Sequence, residues 1–434
     1  MLKLHFILLG FLSSASVLAE AGTPEPVKAE AEPTVKEESE EAEAEADAGE
    51  GKLTGNWNGA RNKLKAQGIE VGLYYSGEGV VNADGGVAFG GTYMGKATAA
   101  LDLDLEKLMG MSGWTFHTSA IAMHGRGPSF LTGDAQWTSN IEATPAVRLY
   151  DVWLQKQFTE SGSSLLFGLY DWNSEFNITD SSVTFLNSSF GEGLELTQSP
   201  MNGTIIPSTY PNTTLGVRAM VNASEGYYLG AAVVDGVAGD PNDPLGAHII
   251  LGADDGLFVG TEFGYKTPED SKEEVHEKWV VGFWAYTQAV DTILTAETAS
   301  PVKAVDYGAY LLGERTVTGN LTAFARIGWA NPDVNQITAS LATGLLWDKV
   351  SGKDASDQIG LGLSTVWNGA AYMQYQDGQG APTGQTETAL EVFYRFEAAP
   401  GLTIQPDLQY VIKPSMDPSL KDATNFFIRF DLAL

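Results

Sequence analysis

The C-terminal stretch, residues 386–434, constrains the fold most because its apolar residues recur at every second position. In the run 386–396 the even positions are Thr388, Leu390, Val392, Tyr394 and Phe396, whereas the odd positions include Glu387, Glu391 and Arg395. Two further runs, 402–410 and 426–434, alternate in the same way, and Arg429 lies on the polar side of the last one. A period of two is typical of β-strands with one apolar and one polar face.

A soluble antiparallel sheet also alternates, so the period alone leaves both a β-sandwich and a membrane barrel open. Three features of this stretch favour the barrel. The strands are about ten residues long, aromatic residues lie near their ends, and the chain ends within a strand that has an apolar face. We therefore expect an all-β transmembrane barrel.

Composition excludes several other classes of protein. The chain has no cysteine, so neither disulfides nor Cys-based metal or thiol chemistry is available. After the N-terminus there is no run of eighteen apolar residues, as a membrane-spanning helix would need. The net charge is −30 and no cluster of Lys and Arg is present, which argues against nucleic acid as a partner. The five histidines show no ligand spacing, so we expect no metal and no other cofactor.

The N-terminal part divides into three segments. Residues 1–19 have the pattern of a secretory signal peptide, with Lys3, an apolar centre at 6–12 and small residues near Ala19. Residues 20–52 form an acidic tail or linker that we expect to be disordered, although a helical spacer or partner-binding arm starting near Glu37 is the alternative. Residues 53–68 predict a short amphipathic helix, with Gly68 as its stop signal.

From residue 69 to residue 434 the two-residue period recurs throughout. The candidate strands start at 69 and continue at 92–104, 113–124, 146–158, 163–172, 214–222, 226–235, 246–253, 256–265, 277–287, 305–314, 319–328, 338–346, 357–370 and in the three C-terminal runs. These are seventeen candidates, and single-chain barrels normally have an even number of strands. The shortest, 246–253, is the weakest. The Asn/Ser/Thr/Gly/Pro-rich stretch 173–213 has little periodicity, which is typical of a large extracellular or inward-folded loop.

Several short motifs resemble the carbohydrate-selective porins of the OprB family in their order and spacing. They are 57–61 (WNGAR) with Leu64 and Gly68, Tyr93 with 102–108 (DLDLEKL) and Gly113, 148–154 (RLYDVWL), Phe176 with 185–191 (FLNSSFG), and 406–410 (PDLQY) with Pro414. The resemblance implies a sixteen-stranded barrel of the bacterial outer membrane with a short N-terminal helix and inward loops. It also implies passive diffusion of sugars and other small polar solutes, as a monomer or a homotrimer. The acidic tail and the final residue Leu434, where such barrels usually carry an aromatic residue, depart from the pattern.

The apolar parity of each strand assigns its other parity to the lumen, because an Arg or Lys facing lipid at mid-membrane is destabilised by about 2–4 kcal/mol. The predicted lumen charges are Glu78, Lys96, Asp151, Arg218, Glu262, Arg326, Glu387, Glu391, Arg395 and Arg429. In this assignment Tyr150 faces lipid opposite Asp151. Arg218, Arg326 and Glu262 are the residues most expected to set the constriction, and Arg126 is a further candidate from a loop.

Acids and arginines are therefore mixed in the predicted lumen. A mixed lining suits neutral polyols, because carboxylates accept and guanidinium groups donate hydrogen bonds to sugar hydroxyls. The alternative is that these charges only pair with one another and brace the wall. A general or ion-selective channel is the alternative function.

Aromatic and catalytic candidates have competing interpretations as well. Trp153, Trp284 and Tyr310 could stack on sugar rings, but a girdle at the membrane interface is the usual place for Tyr and Trp. An outer-membrane hydrolase would need a nucleophile beside a base. His117 and Ser119 share a parity, but no acid can be singled out as their partner, so we expect no enzyme.

Overall fold

The computed structural model describes residues 51–158, 162–239, 251–252, 254–268, 275–352, 355–381 and 383–434, together with Gly49 and Ile249. The expected signal peptide and nearly all of the acidic tail lie outside these residues. Most of the candidate strand 246–253 also lies outside them, and its described residues 249, 251 and 252 are not in a strand.

Within the described chain, sixteen strands form one closed antiparallel barrel in which each strand pairs with its sequence neighbours and the first pairs with the last. They are β1 (Ile69–Gly86), β2 (Gly90–Asp104), β3 (Trp114–Gly125), β4 (Ala146–Gln157), β5 (Ser164–Tyr170), β6 (Thr214–Asn222), β7 (Tyr227–Asp235), β8 (Leu257–Lys266), β9 (Glu277–Asp291), β10 (Lys303–Thr318), β11 (Leu321–Ala330), β12 (Ile337–Asp348), β13 (Gln358–Asn368), β14 (Thr386–Ala399), β15 (Leu402–Ile412) and β16 (Lys421–Ala433). The predicted all-β barrel is confirmed.

Short helices occupy the connections. They are α1 (Ala60–Ala66), α2 (Leu105–Met109), α3 (Ser129–Thr132), α4 (Ser188–Gly191), α5 (Leu194–Thr197) and α6 (Ala370–Gly378), with 3₁₀ turns at Trp172–Ser174, Ser182–Thr184, Ser224–Gly226 and Pro414–Met416. None of the helices in the described part of the chain is long and apolar enough to cross a membrane.

The predicted N-terminal helix is confirmed as α1, which lies beside the seam between β1 and β16. Gly68 follows it with a φ of 86°, where an added Cβ would lie only 3.0 Å from the carbonyl oxygen of Asp104. The backbone N–H of Leu53 donates to the carbonyl of Ala433 at 2.7 Å, and the Arg61 guanidinium donates to the carbonyl of Leu434. The N-terminal segment therefore attaches to both strands of the seam.

The strands alternate between an apolar outer face and a polar inner face. On β16 the outward Phe426 and Ile428 are about half exposed, whereas the inward Asn425 and Arg429 are buried. Large apolar side chains on the outer face of a closed barrel form the band that contacts lipid.

Two connections fold into the barrel instead of away from it. They are the β3–β4 connection, residues 126–145, and the β5–β6 connection, residues 171–213; we call them the inward segments. The second confirms the prediction of a large loop at 173–213. Its Trp172 stacks on Phe176 at 5.2 Å between ring centroids, and Phe185 packs against Phe324 of β11 and Phe393 of β14 at 5.3 and 5.0 Å.

The main hydrophobic core therefore lies between the inward segments and the wall. Glycines in the wall leave room for the incoming aromatic rings. A Cβ on Gly260 of β8 would lie 2.6 Å from the indole nitrogen of Trp172, and a Cβ on Gly362 of β13 would lie 2.6 Å from ring atoms of Phe185 and Phe190. Because real Cβ atoms do not approach so closely, a larger residue at either position would displace the segment.

Candidate functional site

A cavity of about 3010 Å³ runs through the barrel interior. One side is formed by strands β2–β4, which the inward segments leave uncovered; we call this the open wall. The other side is formed mainly by the inward segments, which cover the middle of strands β6–β16, the covered wall. These strands reach the cavity mainly through residues near their ends, such as Lys278, Thr322 and Arg395. Solutes in the cavity therefore meet strands on one side and loop residues on the other.

Eight lining residues combine charge with aromatic rings, and we call them the cavity cluster. Its members are Lys96, Arg148, Tyr150 and Asp151 of the open wall and Glu142, Asp171, Glu192 and Tyr210 of the inward segments. The rings of Tyr150 and Tyr210 meet edge to face at 6.3 Å, and the Lys96 ammonium lies 4.8 Å from the centre of the Tyr210 ring. The cluster thus joins the open wall to the second inward segment.

A β-bulge brings Tyr150 into this cluster. Ser119 pairs with Asp151 but the next residue, Ala120, pairs with Leu149, so Tyr150 is the extra residue. A bulge places two successive side chains on one face, and here Tyr150 and Asp151 both line the cavity. The prediction that Tyr150 faces lipid is wrong for this reason. The sequence held a signal, since the charged Arg148 and Asp151 have opposite parity and could not both face inward in a regular strand.

Hydrogen bonds fix the position of the bulge against the second inward segment. The Tyr150 hydroxyl donates to the Asp171 carboxylate, and the backbone N–H of Asp171 donates to Asp151 at 3.1 Å. Arg148 donates to the carbonyl of Pro211 at 3.1 Å and to the side chain of Asn212. The open wall and the segment are therefore locked together beside the cavity.

Three carboxylates of the cluster lie in connections, outside the membrane-spanning strands. Glu192 accepts from the Thr209 hydroxyl at 2.8 and 3.0 Å, and Glu142 accepts from the Ser129 hydroxyl at 2.8 Å. Burial raises the pKa of Glu142 to about 7, of Asp171 to about 6 and of Glu192 to about 8. Desolvation disfavours the charged form, and it outweighs the opposing charges of Lys96 on Asp171 and of Arg326 on Glu192.

Most of the predicted lumen charges do not reach the cavity. Arg218 is 1% exposed, Glu262 1% and Arg326 5%, because the second inward segment lies over them. Arg218 holds Glu175 of that segment through two bonds of 2.7 Å. The expectation that these three residues set the constriction is therefore corrected: they bind the segment that narrows the barrel, which agrees with the bracing alternative.

Arg326 and Glu262 meet the same loop residue from two strands. Arg326 donates to the side-chain oxygen of Asn177 at 2.5 Å and to the carbonyl of Phe190 at 3.1 Å. Glu262 accepts from the backbone N–H of Asn177 at 2.6 Å. One asparagine is thus held at both its main chain and its side chain.

Three glutamates of the covered wall bind the inward segments in the same way. The two carboxylate oxygens of each accept hydrogen bonds from two successive backbone N–H groups of a segment. Glu391 binds Leu186 and Asn187 at 2.6 and 3.0 Å. In the same way, Glu387 binds Ala135 and Gln136, and Glu314 binds Asp180 and Ser181. Glu314 was absent from the predicted set, although the parity of β10 places it inward with Leu312. These bonds satisfy loop N–H groups that have no partner in a sheet.

The remaining predicted charges include one buried ion pair, three cavity-lining residues and one exposed arginine. Glu78 and Arg429 form a buried ion pair across the β1–β16 seam, and Arg429 also donates to Asn140 of the first inward segment at 2.6 Å. Lys96, Asp151 and Arg395 line the cavity. Arg126 does not line it; its guanidinium is exposed and lies 3.3 Å from the centre of the Phe130 ring.

The aromatic candidates are buried. Trp153, Trp284 and Tyr310 face inward and are each 3% exposed, so they form neither an interfacial girdle nor a surface for a solute. Their parity is inward, and the second inward segment covers Trp284 and Tyr310 within the main core. Trp153 stacks on His117 at 4.8 Å. His117 bonds to Asp102 at 2.7 Å, whereas Ser119 donates to Asp151, so the two are not arranged as a nucleophile and its base.

Comparisons with known proteins agree with this architecture. A family model described as the carbohydrate-selective porin, OprB family, matches residues 89–431. Porin B of Pseudomonas aeruginosa is 21% identical over an alignment of 406 residues that covers 83% of this chain and 87% of Porin B.

Two solved structures share the fold. The high-pH structure of Pseudomonas putida OprB matches 89% of this chain and 99% of that chain, with a TM-score of 0.78 at 18% identity. The low-pH structure matches 89% of this chain and 100% of that chain, with a TM-score of 0.57 at 17% identity. The solved structures establish the fold and the family model, which covers most of the chain, establishes the relationship. The chain belongs to the carbohydrate-selective porins of the OprB family: it is a sugar porin of the outer membrane and not an enzyme.

Proposed function

We propose that sugars diffuse through the barrel between the open wall and the inward segments, past the cavity cluster. The observation that carries this proposal is the combination of Tyr150, Tyr210, Lys96 and several carboxylates on one water-accessible cavity. Of the lumen charges predicted from the sequence, Lys96, Asp151 and Arg395 belong to this path.

The chemistry of the cluster suits a polyol. A pyranose ring has weakly apolar C–H faces, which can lie against the Tyr150 and Tyr210 rings, since aromatic faces carry partial negative charge. Its hydroxyls can donate to Asp151, Asp171 and similar carboxylates and can accept from Lys96. Each contact replaces a bond to water, so the solute is bound weakly enough to leave again, as conduction requires.

Glucose block of the single-channel ion current tests this path. The current of the unaltered protein should fall saturably with glucose, because a bound sugar displaces ions from the narrow part of the cavity. Lys96→Ala removes one charged hydrogen-bond donor and should raise the half-blocking concentration about three- to tenfold. Leu361→Ala, on the outer face of β13, is the matched control and should leave the block unchanged.

Two results would contradict the proposal. A current that falls only in proportion to solution viscosity would indicate a general diffusion channel without a sugar site. A saturable block that Lys96→Ala and Tyr150→Phe both leave unchanged would place the sugar site away from the cavity cluster.

A further inference from the structure

The cavity has a marked excess of acidic side chains. Among the described residues that line it, thirteen are Asp or Glu and six are Lys or Arg. Charges on the wall of a narrow, water-filled space act together, because the surrounding protein has a low dielectric constant and confines the field to the lumen. The cavity therefore has a negative potential when its carboxylates are ionised.

Three of the six cavity-lining cations are held by contacts with the protein. Arg148 is held by the carbonyl of Pro211 and by Asn212, and Lys278 donates to the carbonyl of Ile178 at 2.7 Å. Lys96 lies over the Tyr210 ring. An anionic solute would have to displace these partners to gain a bond to any of these three cations.

The three cluster carboxylates in the inward segments differ from these cations. Glu142 accepts from Ser129, Glu192 from Thr209, and Asp171 from Tyr150 and the backbone of Asn173. All these donors are neutral; the cations whose charges act on these carboxylates are Lys96 for Asp171 and Arg326 for Glu192. A solute that passes along the inward segments thus meets these three hydroxyl-bonded carboxylates.

We propose that the channel discriminates among sugars by charge, passing neutral sugars and excluding sugar acids. This inference rests on the proposed sugar path and names the class of solute that the path rejects. A neutral sugar donates hydroxyl hydrogens to the carboxylates, whereas a carboxylated sugar brings like charges together within a few ångströms. The repulsion falls with salt, because the screening length shortens from about 30 Å at 0.01 M to about 10 Å at 0.1 M.

Uptake of labelled glucose and gluconate into proteoliposomes at pH 9, above the pKa of all three carboxylates, and at low salt tests the proposal. Potassium with valinomycin holds the membrane potential at zero, so that uptake of the anion is not limited by charge accumulation. We expect glucose to enter about tenfold faster than gluconate, as a few like charges at 5–8 Å in a watery lumen would produce. Added salt should reduce this ratio.

The triple variant Glu142→Gln/Asp171→Asn/Glu192→Gln retains side-chain oxygens and removes three charges from the cavity. It should lower the glucose-to-gluconate ratio several-fold, because gluconate no longer meets these three like charges. The matched control, Asp84→Asn/Asp254→Asn/Asp377→Asn, changes the net charge equally at exposed residues that do not line the cavity. It should leave the ratio unchanged.

The outcomes separate the two proposals. If gluconate enters the unaltered channel as fast as glucose, or if both triple variants have the parent ratio, charge discrimination by the cluster is wrong while the sugar path stands. If neither solute enters faster than into protein-free liposomes, the sugar path itself fails, and the present inference fails with it. The reversal potential of the unaltered channel in a KCl gradient is a second measurement that needs no variant: cation preference supports the inference, and anion preference overturns it.

Discussion

The open wall and the covered wall are built from the same alternating strands, yet their inward charges have opposite surroundings. On the open wall, Lys96 and Asp151 line the cavity. On the covered wall, Arg218, Arg326 and Glu391 are buried against the inward segments and bind loop atoms. Strand parity thus determines which side of the wall a charge faces, but whether it meets a solute depends on what folds over it.

Removal of the buried arginine from the covered wall should have the largest effect. Arg218→Ala leaves the Glu175 carboxylate, whose side chain is 17% exposed at the cavity, without its bidentate partner. We expect this to destabilise the second inward segment by about 3 kcal/mol. Chymotrypsin should then cleave the folded barrel near Trp172 and Phe176, and single-channel currents should become noisy.

The double variant Arg218→Met/Glu175→Met is the control for this prediction. It removes both charges and fills the same space, so cleavage should return toward the parent rate. If Arg218→Ala resists chymotrypsin as the parent does, the ion pair does not hold the segment in place.

A milder change on the same wall is Glu391→Gln. Only one amide oxygen then remains to accept from the two N–H groups of Leu186 and Asn187, which should weaken this contact by about 1–3 kcal/mol. Hydrogen exchange should speed up at these two amides. The amides of Asp180 and Ser181, which Glu314 holds, are the internal control. Equal acceleration at both pairs would show that the segment opens as one unit.

The pH dependence of ion selectivity separates the charges of the inward segments from those of the wall. The pKa values of Asp171, Glu142 and Glu192 are raised to about 6, 7 and 8, so these groups are neutral at low pH and ionise as the pH rises. The charged and titratable groups around them are Glu78 and Asp134 for Glu142, Lys96, Tyr150 and Asp151 for Asp171, and Asp171, Glu195 and Arg326 for Glu192.

The permeability ratio of cation to anion should therefore rise several-fold between about pH 5.5 and about pH 8.5. Reversal potentials in a KCl gradient measure it. Glu192→Gln should remove the most alkaline part of the rise, because Glu192 has the highest pKa of the three. A ratio that stays constant over this range would mean that ions do not pass these carboxylates.

The smallest effect is expected for Val217→Ala, one residue from Arg218 on β6. Val217 is on the lipid-facing side and about half exposed, so its truncation should change neither conductance nor glucose block. The gel band of the unheated protein should keep its mobility. A change in conductance as large as that of Arg218→Ala would contradict the parity assignment of β6.

The barrel, the N-terminal helix and the inward or outward parity of most strands are all predictable from the amino-acid sequence. These features follow from local alternation, because a strand between lipid and a polar interior must sort its side chains at every residue. Whether an inward charge binds a loop or lines the cavity depends on the tertiary structure. Glu391 binds Leu186 and Asn187, which lie some two hundred positions away in the chain, so no local sequence pattern predicts this contact. Two missed positions did have a sequence signal: Glu314 has the inward parity of β10, and the bulge at Tyr150 is indicated by the opposite parities of Arg148 and Asp151.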